Sequence, residues 1–80
     1  MSEPLDEEVL AERRHLLALC FRMLGTIAEA EDAVQETYLR WFRLAEQERT
    51  AISSPRAWLT TAASRVCLDV LGSARARREE

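Results

Sequence analysis

One group of side chains with the chemistry of a binding surface lies between residues 32 and 43 of this sequence. Carboxylates, an amide and an arginine surround a leucine at helical spacing: Asp32, Gln35, Glu36, Leu39 and Arg43, with Phe42 on the flank. A protein-docking face has such an apolar centre with a charged rim. Single exposed apolar residues are also common, so an ordinary solvated helix face is the alternative.

A second group lies further along the chain and combines stacking, hydrogen bonding and positive charge. Trp58, Thr61 and Arg65 follow one another at helical spacing, beside a serine-rich loop and upstream of Arg75, Arg77 and Arg78. Single-stranded nucleic acid is bound through this combination, because every base offers a face for stacking and every phosphate a charge. In the alternative interpretation Trp58 fills the core, Arg65 pairs with Asp69, and the arginine cluster is a frayed helix end.

Catalytic and metal-binding chemistry finds little support in the sequence. His15 is the only histidine, and Cys20 and Cys67 stand alone inside apolar helical patterns, without the paired spacing of a zinc site. No Ser, His and Asp set, glycine-rich phosphate loop or second pair of carboxylates for a di-metal site is present. The sequence therefore predicts a protein that is not an enzyme, with buried free thiols, no metal and no cofactor.

Composition predicts one small all-α domain. The chain has 80 residues, of which 48% are hydrophobic and 31% charged, with two Gly and two Pro. Residues 1–48 hold five Arg and eleven acids, whereas residues 49–80 hold six Arg and three acids. The acidic part suits a basic protein partner and the basic part a phosphate backbone, although two solvated faces would give the same asymmetry.

Neither a membrane span nor a signal peptide is predicted. The longest apolar run, from Leu16 to Phe21, is far shorter than the roughly 18 to 20 residues that a span needs. The start of the chain is acidic, whereas a signal peptide starts with basic residues. The expected location is the cytoplasm, without contact with a membrane.

Apolar periodicity predicts a small bundle of three main helices. Helix one is expected from about Asp6 to Leu24, where Gly25 ends it. Helix two begins with a capping box of Thr26 and Glu29 and continues to about Ala45. Gln47 to Ser54 is predicted as a polar connection, and Ser54 with Pro55 opens helix three, which runs to about Leu71. Gly72 either stops this helix or lies within a continuation, and we favour continuation.

These residues resemble region two of bacterial sigma factors of the extracytoplasmic-function (ECF) class. The resemblance rests on the stretch from Arg22 to Phe42, which contains Glu-Asp-Ala-Val-Gln-Glu, and on Ser54-Pro-Arg-Ala-Trp-Leu59, followed by Ala63 and Asp69. It covers roughly residues 12 to 78, nearly the whole chain. The two motifs are each moderately specific, and together at this separation they are strong.

The resemblance implies a helical transcription-initiation domain that binds core RNA polymerase and helps to open the promoter minus-ten element. On helix two, Asp32, Gln35 and Glu36 occupy the positions that meet the clamp helices of the beta-prime subunit, which would explain an exposed Leu39. The loop and helix three face the non-template strand, and a base flipped from the stack is captured at the loop. By position this role falls to Ser53, Ser54, Arg56, Trp58, Thr61 and Arg65, and the basic end adds Arg75.

Departures from the family pattern limit what the resemblance implies. Arg65 stands where many relatives have Asn, and Gly72 where a basic residue is frequent, so base preference is not carried over. The end from Ser73 to Glu79 is similar to a subgroup with a C-terminal regulatory domain, and an anti-sigma factor is a further expected partner. Region four does not follow in this sequence, so the chain is expected to be an excised or truncated domain. The rival interpretations are a protein-interaction module or decoy without DNA contact, and a helical regulator of another family that prefers duplex DNA.

Overall fold

The structure, a computed structural model, describes residues 4–79, and side chains are described for residues 7–77. The side chains of Glu3, Asp6 and Arg78, which contribute to the predicted acidic start and basic end, lie outside the described residues. The described part contains five helices: α1 (Pro4–Ala11), α2 (Arg13–Leu24), α3 (Ile27–Phe42), α4 (Glu46–Ala51) and α5 (Pro55–Glu79). The prediction of an all-α fold with three main helices is confirmed.

Helices α2, α3 and α5 pack together as the body of the fold. His15 on α2 lies 3.1 Å from Thr60 on α5, between Nε2 and Oγ1, and further along the same helices Cys20 lies next to Cys67. Because later residues of α2 meet later residues of α5, these two helices run in parallel. Helix α3 runs antiparallel to them, since its late residue Trp41 meets Trp58 and its earlier residue Ala33 borders the same crease as Val66. The buried core is shared by these helices and α1, and contains Val9, Leu16, Cys20, Ala30, Ala33, Val34, Thr37, Trp41, Leu59, Ala62, Ala63, Val66 and Cys67.

The predicted first helix is in fact two helices, α1 and α2, separated at Glu12. The Val9 carbonyl accepts the Glu12 N–H at 3.2 Å, a bond with the spacing of a tight turn, and also the Tyr38 hydroxyl at 2.9 Å. Every residue near this break is an adequate helix former, so helix propensity gave no sign of it. The interruption is accompanied by this contact with Tyr38 of α3, which the sequence of the segment itself does not reveal.

Helix α3 begins as predicted and ends earlier than predicted. Thr26 Oγ1 accepts the Glu29 N–H at 3.2 Å, which confirms the N-cap. Before it, Gly25 adopts φ +88°, a left-handed conformation that favours glycine, and donates to the Phe21 carbonyl at 2.8 Å. The helix stops at Phe42 instead of Ala45, because the chain tightens there into a turn in which the Leu44 N–H donates to the Trp41 carbonyl at 3.1 Å.

The predicted polar connection contains the short helix α4, which was not predicted. The Glu48 carboxylate accepts the Ala45 N–H at 2.9 Å and so holds one of the free donors at the start of this helix. Glu48, three residues after the N-cap Ala45, was the feature of the sequence that could have indicated this helix. The irregular loop before α5 is consequently short, from Ile52 to Ser54.

Helix α5 runs without interruption through Gly72, which confirms the predicted continuation. Ser54 Oγ accepts the Ala57 N–H at 3.2 Å and caps its start, again as predicted. A helix of 25 residues is about 37 Å long, so α5 extends well beyond the other helices of a molecule measuring 46 × 22 × 19 Å. None of the described helices is both long and apolar enough to span a membrane.

Candidate functional site

A ridge formed by α3 and its C-cap residue Arg43, the docking ridge, carries the first predicted group: Asp32, Gln35, Glu36, Leu39 and Arg43. Steps of three and four residues place these side chains on one face of a helix. Leu39 is 44% exposed and the neighbouring Phe42 is 43% exposed. The apolar centre of the ridge is therefore open to solvent, as a docking surface requires.

An open groove of about 390 Å³ lies between this ridge and α2. It is lined by Arg13, Glu31, Asp32, Val34, Gln35, Tyr38, Leu39 and Phe42. Tyr38 and Phe42 stack in it with their ring centroids 6.5 Å apart. Burial raises the pKa of the Tyr38 hydroxyl, with Arg13 acting in the opposite direction, so this hydroxyl stays protonated near neutral pH and can donate to Val9.

Glu36 faces the other side of the ridge, towards α5. It borders a smaller crease of about 200 Å³ with Val66 and Val70, and Asp32 borders both this crease and the groove beside α2. Glu36 Oε2 is buried and has no hydrogen-bond partner among the described residues. The structure thus divides the predicted docking residues between two depressions. Arg43, about three turns from Asp32, lines neither of them.

The second predicted group meets α3 in an open groove of about 380 Å³, the tryptophan groove. It is lined by Arg40, Trp58, Thr61, Ala62 and Arg65. Trp58 is half-buried and packs edge-to-face on the buried Trp41, with ring centroids 5.3 Å apart. Trp58 therefore contributes to packing and also borders the groove, so the two interpretations of this residue are compatible.

The alternative pairing of Arg65 with Asp69 is wrong. Asp69 Oδ2 instead lies 3.7 Å from a guanidinium nitrogen of Arg40, on the neighbouring helix. Arg65 is exposed at the groove. Arg40 was not among the residues predicted for either group, because the partner helix that completes the groove is distant in sequence.

The remaining predicted nucleic-acid residues do not gather at the tryptophan groove. Arg56, about 200° around α5 from Trp58, pairs with Glu12 at 3.5 Å. Arg75 borders a separate shallow groove with Leu68, Leu71 and Gly72. Ser53 is exposed in the short loop, while the Ser54 hydroxyl is used by the helix cap.

The described side chains offer binding surfaces and little else. Residues 7–77 contain no group of three or more His, Cys, Asp or Glu placed to hold a metal ion. Burial, together with the adjacent Cys67, raises the pKa of the Cys20 thiol to about 12, so this thiol is neutral and shielded rather than nucleophilic. The geometry suits contacts with a macromolecule on two faces of α3 and α5.

Comparison with known proteins identifies the family. Residues 9–78 match the model of the family described as Sigma-70 region 2. The chain is 51% identical over 72 residues to the ECF RNA polymerase sigma factor SigJ of Mycobacterium tuberculosis, covering 90% of this chain and 22% of that protein. It is 42% identical over 77 residues to the probable ECF sigma factor SigI, and 46% identical over 65 residues to SigG, both of the same species.

These matches cover 96% and 81% of this chain, but only 26% of SigI and 17% of SigG. The chain thus spans about a quarter or less of the length of the curated relatives it matches. No solved structure matches significantly. Because the family model matches nearly the whole sequence, the chain belongs to the sigma-70 region 2 family, as the resemblance to ECF sigma factors predicted.

Proposed function

We propose that this chain is the part of an ECF sigma factor that binds core RNA polymerase and recognises and helps to open the promoter minus-ten element. One observation carries the proposal: a solvent-open apolar ridge on α3 and an arginine-bearing tryptophan groove lie on neighbouring faces of one small fold. A transcription role of this kind is non-catalytic and implies the cytoplasm, where bacterial polymerase acts.

The docking ridge is the proposed contact with the clamp helices of the beta-prime subunit. Its exposed Leu39 offers apolar area, and the exposed Asp32 offers negative charge to a basic partner surface. Glu36 adds charge from the side that faces α5, where one of its carboxylate oxygens is buried. An anti-sigma factor is a further proposed partner, on the resemblance alone.

The tryptophan groove and the Ser53 loop are the proposed contact with the opened non-template strand. The exposed part of Trp58 offers a stacking surface, Thr61 a hydroxyl and Arg65 a cation. Arg56 and Arg75 lie too far around or along α5 to share this groove, so any contact they make is with another part of the DNA.

A pull-down with the beta-prime clamp-helix fragment tests the docking proposal. Combined Leu39→Ala and Glu36→Arg should abolish binding, because the pair removes the apolar centre and reverses charge on the rim. The matched control is Leu68→Ala with Glu46→Arg, which changes the same residue types away from the ridge. Circular dichroism should show both variants folded, and retention of the clamp helices by the ridge variant would refute the proposal.

Binding to a single-stranded minus-ten oligonucleotide tests the DNA proposal. Arg65→Ala and Trp58→Ala should each weaken binding about five- to tenfold, since they remove a phosphate contact and a stacking surface. Trp58→Ala also removes a contact with Trp41, so its urea unfolding must be measured alongside. Loss of DNA binding only in proportion to lost stability would assign Trp58 to packing.

The same two experiments separate the rival functions. Docking on polymerase with no oligonucleotide binding would favour a protein-interaction module or decoy. A preference for intact duplex over the opened strand would favour a regulator of a different kind.

A further inference from the structure

Arg40 lines the tryptophan groove but was not among the predicted DNA-binding residues. It projects from α3, whereas Trp58, Thr61 and Arg65 belong to α5. The groove therefore has a cation from each of its two helices. A strand lying in the groove would pass between Arg40 and Arg65.

Arg40 is held at the groove by an acidic residue of the opposite helix. Its guanidinium lies 3.7 Å from Asp69, and the two side chains are 40% and 74% exposed. An exposed ion pair of this kind contributes little to stability, because water and salt screen both charges. The pair nevertheless orients the guanidinium, and a stronger anion can replace the carboxylate without leaving a buried charge unpaired.

Phosphate is the anion that suits this position. A guanidinium can bind two phosphate oxygens at once, and a polynucleotide strand presents phosphates at regular intervals next to bases that can stack. Trp58 supplies the stacking surface in the same groove. The carboxylate of Asp69 thus occupies the position beside the Arg40 guanidinium that a phosphate group would take.

We propose that Arg40 is a phosphate-binding residue of the tryptophan groove, and that Asp69 is an internal counter-ion which a phosphate of a single-stranded nucleic acid displaces. This inference rests on the proposed function, because it names a further contact of the same groove. It gives Asp69 a positioning role, in which it orders Arg40 before binding and weakens binding by competing for it.

The experiment is an NMR titration of the 80-residue chain, at low salt, with a single-stranded minus-ten oligonucleotide. Arg40→Gln should weaken binding roughly fivefold, the value of one screened charge contact, while the control Arg22→Gln on α2 should not. Asp69→Asn should strengthen binding about threefold. In a chain that already carries Arg40→Gln, the same substitution should strengthen binding no more than the control Glu8→Gln does. An abasic strand of the same length should keep the dependence on Arg40 and lose the dependence on Trp58.

The outcomes distinguish this inference from the proposed function. Equal affinities for Arg40→Gln and Arg22→Gln would overturn it, and if Arg65→Ala still weakened binding, the proposed function would stand. A gain from Asp69→Asn that persists without Arg40 would show that Asp69 acts only by general repulsion, which overturns its positioning role. Absence of binding by the unmodified chain would overturn this inference together with the DNA-binding part of the proposed function, whereas docking on polymerase is tested separately by the pull-down.

Discussion

Trp58 illustrates how one side chain in a small domain can serve both packing and a proposed binding surface. Its ring closes the core against the buried Trp41, and its half-exposed remainder borders the tryptophan groove. A flexible side chain would have to be ordered on binding, whereas Trp58 is held in advance by the core. Packing and the proposed recognition are thus coupled at this residue, and substitutions there need a stability control.

At the residue scale the buried thiol of Cys20 predicts a dependence of stability on pH. Its pKa rises from the ordinary value of 9.0 to about 12 in the folded state, so the folded state favours the neutral thiol. The contribution of Cys20 to the free energy of unfolding is fully present below pH 9 and is lost as the pH rises from about 9 to 12. Over this range the free energy of unfolding falls by up to about 1.4 kcal/mol per pH unit.

Urea unfolding as a function of pH checks this prediction. The free energy of unfolding should fall above pH 9 in the unmodified chain. The fall should be smaller in Cys20→Ala, whatever the absolute stability of that variant. Identical slopes for the two proteins between pH 9 and 12 would contradict the prediction.

At the scale of the elements, the two glycines show opposite requirements of the backbone. Gly25 ends α2 with φ +88°, where a side chain is strained. Gly72 lies inside α5 and has open space around the position of a Cβ atom, so nothing in the packing requires a glycine there.

We therefore predict that Gly72→Ala stabilises the end of α5 by about 1 kcal/mol, because alanine loses less conformational entropy in a helix. Amide hydrogen exchange should slow at residues 71–77. Gly25→Ala should lower the free energy of unfolding by about 1 kcal/mol or more, since it places a side chain in the left-handed region. Faster exchange in the Gly72 variant would mean that the glycine has a role in a local bend.

At the scale of the whole molecule, charge is divided along the chain. The net charge is −3, but six of the eleven arginines lie in residues 49–80, which contain α5. An acidic docking ridge beside a basic helix would suit the two proposed partners, which present surfaces of opposite charge. The same negative total opposes tight binding of the isolated domain to DNA.

The isolated domain should accordingly bind single-stranded DNA weakly and with strong salt dependence. If Arg40 and Arg65 each contact one phosphate, the slope of log affinity against log salt should be about −1.4, so that a tenfold increase in salt lowers affinity roughly 25-fold. Arg65→Ala should reduce this slope by about half. Fluorescence anisotropy over a salt series makes the measurement, and tight binding that is insensitive to salt would contradict it.

The sequence by itself determined the helical class, the caps at Thr26 and Ser54, and the burial of the two free thiols, because these depend on periodicity and on interactions between near neighbours. Only the tertiary structure decided that α1 and α2 separate at Glu12, that Asp69 pairs with Arg40, and that the tryptophan groove is completed from α3. The ion pair and the groove join residues that are distant in the chain, and the break at Glu12 is accompanied by a contact from Tyr38 on α3. Such contacts depend on how the helices pack, which the spacing within a single helix does not specify.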